Sequence, residues 1–173
     1  MINTIPKVRK MAMMDRRESG QSIIEVALTV PLLCLLLAGG AEFARMAYAA
    51  IEVTNAAKAA VQYAAQEQAF TTDTTGMQNA INNEVMNVPG LAGATLQSAT
   101  TTATCSDGTT PSDGNTSPPY QSTDCSGSVL MESLAVTTTA TFTPGSIINP
   151  FLAACSLPTS FTLTGYAKQV VLQ

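Results

Sequence analysis

Four cysteines, twelve carboxylates and no histidine set the chemistry open to this 173-residue chain. Without histidine there is no Ser-His-Asp or Cys-His catalysis, no imidazole metal site and no imidazole acid–base work. Cys105 and Cys125 stand at opposite ends of a loop of Ser, Thr, Asp, Gly and Pro. A disulfide joining two strand ends is the expected use of that pair. Cys155 is then left over, either as a buried free thiol or as a partner for one of the others. Cys34 sits in an apolar run and reads as an ordinary small apolar residue. No C-x-x-C motif occurs, so structural zinc and thioredoxin-like redox chemistry have no support. The loop carboxylates Asp107, Asp113 and Asp124 invite Ca²⁺, but they lack the EF-hand spacing and its closing Glu. Phosphate-loop, G-x-G-x-x-G and G-x-S-x-G motifs do not occur. The expectation is no cofactor, no metal, no small-molecule substrate and no catalysis.

One carboxylate is in an unusual place. Glu25 is the single charge in the 23 residues from Ser19 to Ala41, SGQSIIEVALTVPLLCLLLAGGA. About 20 mostly apolar residues suffice for a helix to cross a bilayer. Before the run stand Lys7, Arg9, Lys10, Arg16 and Arg17 against Asp15 and Glu18, a net charge of +3, whereas residues 21–173 carry −7. This bias predicts the N-terminus in the cytoplasm and the C-terminal part outside. The basic residues lie on a short arm and not on a folded surface, so nucleic-acid binding is not expected. A plain signal anchor or a cleavable secretory signal also fits a basic arm before an apolar run. A secretory signal, however, would stop near Ala38-Gly39-Gly40-Ala41. Here the run passes without a linker into an Ala-rich stretch, Glu42 to Phe70.

The order Arg16-Arg17-Glu18-Ser19-Gly20, then an apolar run with Glu25 five residues past the Gly, resembles the processing site of type IV-like prepilins. That resemblance implies a cut by a prepilin peptidase between Gly20 and Gln21, on the cytoplasmic side. The longer string RRESGQSIIEVALTVPLLCLLLAGGAEFARMAYAAIEVTNAAKAAVQYA is similar to the TadE-like family of the tight adherence (Tad/Flp) pilus system. Gly20, Gln21, Glu25, Pro31, Glu42, Phe43, Asn55, Ala56, Ala57 and Tyr63-Ala64 carry the likeness, which spans residues 16–65. It includes a Glu-Phe-x-Arg turn at residues 42–45. Val26 stands where Flp pilin subunits have Tyr, and the chain is much longer than a main Flp pilin. The resemblance therefore implies a minor pilin or pseudopilin, not the bulk subunit.

Cleavage after Gly20 would create a new α-amine at Gln21. In a filament of packed N-terminal helices, Glu25 can meet the amine of a neighbouring subunit, pairing two charges that are each costly in an apolar core. Alternatively, Glu25 snorkels to the cytoplasmic headgroups from the helix end.

The elements that position these residues follow from periodicity. Ile23 to about Phe70 reads as one helix, roughly 72 Å long at 1.5 Å per residue. Pro31 would kink it. In its second half Phe43, Met46/Ala47, Ala50, Val53/Thr54, Ala57, Val61 and Ala64 form a stripe of mostly small residues, with Glu42, Arg45 and Glu52 off it. Thr74 or Thr75 is placed to cap a second helix from Gly76 to about Asn87, ended by Pro89-Gly90. Strands are expected near Ala94–Thr104, Ser128–Phe142 and Phe161–Leu172. In the middle strand Leu134, Val136, Thr138, Ala140 and Phe142 share a face. Asn149 to Pro158 is an irregular connection with room for a helical turn. The expected class is α+β, a long helix and a short one beside a small antiparallel sheet. The expected organisation is a basic leader 1–20, a transmembrane helix 21–44, its soluble continuation 45–70 and an extracytoplasmic domain 71–173.

The expected function is structural: a prepilin processed at the inner membrane, with the prepilin peptidase, other pilins and Tad assembly proteins as partners in building an adhesive pilus. The alternative is a signal-anchored extracytoplasmic binding module with no pilus role, which would keep residues 1–20. An envelope enzyme using carboxylates would need two acids converging in a cleft.

Overall fold

The computed structural model describes residues 11–109, 111, 125 and 127–171. Lys7, Arg9 and Lys10 of the basic arm, Asp113 and Asp124 of the loop, and Leu172 lie outside these residues. The elements in chain order are α1 (Met11–Ala64), a 3-10 turn (Gln68–Thr72), α2 (Thr74–Val85), β1 (Leu91–Cys105), β2 (Leu130–Phe142), α3 (Asn149–Ala154) and β3 (Phe161–Val170). They form two compact units, Met1–Ala41 and Glu42–Gln173. The α+β class and the three-stranded antiparallel sheet are as expected.

In the second unit the sheet order is β1-β2-β3, with β2 in the centre. One face of β2 buries Leu134, Val136, Thr138, Ala140 and Phe142, the set expected from alternation, and also Glu132. Against it lies the Ala-rich half of α1, with Ala49, Val53, Ala56, Ala57, Ala60, Val61 and Ala64 buried, together with Met77, Ile81 and Val85 of α2. Small side chains bring the helix backbone close to the strands. The Thr138 hydroxyl donates to the Val53 carbonyl at 2.9 Å, fully buried. On the adjacent strand Gly165 faces the same carbonyl, and a Cβ there would collide with it. The opposite face of the sheet is open and rich in Thr, with Thr95 against Thr139 and Thr102 against Ser133 hydrogen-bonded across the strands.

Several boundaries differ from the sequence expectation. α1 starts at Met11, not Ile23, and it ends at Ala64, not near Phe70, because the chain tightens into the 3-10 turn. That turn stacks Phe70 on Tyr63, ring centroids 5.1 Å apart, and brings Asp73 within 2.7 Å of the Tyr63 hydroxyl. The cap of α2 is Asp73, one residue before the expected threonines, and its carboxylate accepts from the Gly76 amide. The buried stripe of α1 runs through Ala49, with Ala50 only half-buried and Phe43 exposed. Glu42 and Arg45 lie in line with that stripe, not off it. Residues 42–45 continue the helix where the resemblance had suggested a turn.

The edge strand β1 is partly closed by a side chain. Gln78 of α2 donates to the Ala94 carbonyl at 2.9 Å and accepts from the Leu96 amide at 2.8 Å. Its amide group thus stands where the peptide of a further strand would bind. Covering an edge in this way blunts pairing with another chain.

Candidate membrane anchor and processing site

Gly20, Gln21 and Glu25 lie on α1 and are exposed. Gln21 and Glu25 are four residues apart, one helical turn, so they share a face. A Cβ built at Gly20 would meet nothing within 4 Å. Its lack of a side chain therefore serves no packing need inside the molecule. Beyond Glu25, the large apolar residues from Val26 to Leu37 are exposed. Among the described residues, one helix is long and apolar enough to cross a membrane, and its apolar stretch is uncovered. It has the character of a single-pass membrane anchor. From Gly20 to Ala41 it measures about 33 Å at 1.5 Å per residue, against about 30 Å of hydrocarbon. Within it the Thr29 hydroxyl bonds back to the Glu25 carbonyl at 2.7 Å, and Pro31 is accommodated inside the helix.

The second unit begins with an ion pair that sequence reasoning missed. Arg45 donates to Glu42 at 2.7 Å, one turn apart on the helix. The guanidinium also lies against two turns, at Gly90 and Gly145, and a side chain at either position would crowd it. The Thr143 amide donates to the Gly90 carbonyl at 2.8 Å, tying those turns together. Glu42 and Arg45 thus sit beside the two turns at one end of the sheet. The Glu42-Phe43-Ala44-Arg45 string was the available signal, but spacing alone did not show what it holds.

Cys105 and Cys125 are disulfide-bonded, with Cα atoms 5.6 Å apart and a sequence separation of 20. They pack with Leu130 in a small cluster of their own. Cys155 is free and exposed, neither buried nor paired, because α3 lies on the surface and buries none of its residues. Cys34 is also free and exposed, on the apolar stretch. Asp107 accepts from the amide and the hydroxyl of Thr109, which hold its carboxyl below the ordinary range. It is bound up in its own turn. Among the described residues no three Cys, Asp or Glu side chains are grouped to hold a metal ion.

The helix from Gly20 to the 3-10 turn thus combines a bare glycine, a carboxylate one turn past Gln21, an uncovered apolar stretch and an Ala-rich packing face. Residues 20–69 match the family model of TadE-like proteins. The TadE-like region starts at the glycine of the expected cut and ends inside the 3-10 turn, under a third of the chain. Neither a curated protein nor a solved structure matches this chain. Within the TadE-like region, the structure gives several motif residues a packing role. Ala56 and Ala57 are fully buried against the sheet. Tyr63 links the end of α1 to Asp73, the α2 cap, and Ala64 is the last buried residue of α1.

Proposed function

We propose that this protein is a minor pilin or pseudopilin of a Tad-type pilus, made as a prepilin and anchored in the inner membrane with its N-terminus in the cytoplasm. The observation that carries the reading is the TadE-like match beginning at Gly20, with Glu25 one helical turn beyond Gln21 on an uncovered apolar helix. In this reading the prepilin peptidase removes residues 1–20. The freed Gln21 amine of one subunit then meets Glu25 of the next as the apolar helices pack. Other pilins and the Tad assembly proteins are the partners, and adhesion by the assembled pilus is the outcome. The chain's own role is structural, not catalytic.

Glu25→Gln tests the pairing. It keeps size and removes charge, so membrane insertion becomes easier. Cleavage after Gly20 persists, since the small residue at the cut is unchanged. Loss of the neighbour's partner leaves an amine unpaired in an apolar bundle, at a cost of several kcal/mol. The expected result is a mature, inserted protein that no longer supports pili or co-purifies with other pilins. Normal piliation would contradict the pairing and favour the plain signal-anchored module.

A further inference from the structure

The connection between β2 and β3 displays apolar side chains that the fold does not use. Ile147 is 80% exposed, Phe151 52% and Leu157 51%. Their backbone is well fixed. The Gly145 carbonyl accepts from the amides of Ile148 and Asn149, Leu152 donates to Ile148, and Leu157 donates back to Leu152. Three large apolar residues exposed on one short, ordered connection offer an apolar surface to a partner. No charged residue occurs anywhere from Ser133 to Ala167.

Two observations say what that partner is. Gly145, at the root of the turn, lies against the Glu42–Arg45 pair. Glu42 is bonded to Ala41, where the apolar run ends. If that run crosses a bilayer, chain continuity alone puts Glu42 at its surface, and the turn beside Glu42 with it. The two ends of the sheet also differ in composition. The end beside Glu42 carries SIINPFLAACSLP, apolar and uncharged, whereas the β1–β2 connection is polar and acidic. We propose that residues 146–157 seat Ile147, Phe151 and Leu157 in the headgroup–acyl boundary of the membrane that the apolar run crosses. The lipid surface is thus a second attachment, restraining the folded unit against the bilayer. Apolar side chains at this depth bind through buried area, and the absence of acidic groups avoids repulsion from anionic lipids. The inference rests on the anchor reading above but not on pilus assembly.

The chain has no tryptophan, so one introduced residue reports on its own surroundings. The full chain is reconstituted in vesicles of phosphatidylcholine and phosphatidylglycerol carrying brominated acyl chains, as Phe151→Trp or as Tyr166→Trp. Tyr166 is exposed in the middle of β3, far along the strand from the turn. The expected result is blue-shifted emission at position 151, quenched severalfold more by the brominated lipid than emission at position 166. A spin label on Cys155 in a Cys34→Ser chain checks the same point without touching Phe151, and should collide with dissolved oxygen more than with an aqueous nickel chelate. Flotation of the chain with vesicles while both probes behave as water-exposed would overturn the proposal and leave the anchor standing. Failure to float would remove the anchor and this second attachment together.

Discussion

At Gly165 a hydrogen atom in place of a side chain lets β3 pass beneath α1. A methyl group there would strike the Val53 carbonyl and the Thr138 hydroxyl. Gly165→Ala therefore forces helix and sheet apart, and overpacking of this kind costs about 1–3 kcal/mol. Thr138→Val is the milder counterpart. It removes the buried bond to Val53 but leaves that carbonyl on the helix, for a loss of about 1 kcal/mol. Thermal unfolding of both variants in detergent micelles should rank them in that order. Asp73 gives a pH dependence. The Gly76 amide first, then the Tyr63 hydroxyl, hold its carboxyl below the ordinary value. A carboxyl lowered on folding contributes stability that is present above the unfolded pKa of about 3.9 and is lost as pH falls through the folded value. Acid titration of the melting temperature should thus show a decline below about pH 4 that Asp73→Asn flattens, since Asn can still cap the helix. An unchanged decline in that variant would assign the acid sensitivity elsewhere.

At the scale of elements, regular alternation was legible, and helix phase was legible only from Val53 onward, where Val53, Ala57, Val61 and Ala64 are buried as expected. β2 buried the face that its alternating residues named, because a strand has only two faces to choose from. The Ala-rich half of α1 offers Ala at 44, 47, 49, 50, 56, 57, 59, 60 and 64, so the pattern of small residues fits several rotations. The backbone contacts at Thr138 and Gly165 select one, and the Glu42–Arg45 pair falls in line with it. Gln78 was illegible for a different reason. A polar residue on a helix looks solvated until a strand edge 16 residues away supplies its partners. The disulfide was readable because its two cysteines bracket a turn-rich loop, whereas the exposure of Cys155 depended on a surface helix that spacing could not place. Opening the Cys105–Cys125 bridge releases a long loop and should cost about 3 kcal/mol in the chain-entropy model. Non-reducing peptide mapping should recover that pair, and the double Ser variant should melt lower. A bridge from Cys155 to either of them would contradict the strand pairing at this end of the sheet.

For the molecule as a whole, the anchor and the folded unit divide the work. In the proposed reading, the apolar helix carries the processing junction and the charge offered to a neighbour. The Ala-rich continuation of the helix is the spine on which the sheet is built. The TadE-like match covers that spine and stops before the sheet, so the sheet's open Thr-rich face is the part whose use is least constrained by family likeness. The central claim is that the chain is made as a prepilin, and processing is where a pilin and a plain anchor part most sharply. Gly20→Leu supplies the control: open space around Gly20 leaves the packing undisturbed, and in the proposed reading the added bulk keeps the peptidase off the backbone. The most direct test is the intact mass of the protein extracted from membranes of cells that contain the peptidase. The account predicts a mature chain beginning at Gln21, and a Gly20→Leu chain that retains residues 1–20. A wild-type chain still beginning at Met1 or Ile2 would contradict it.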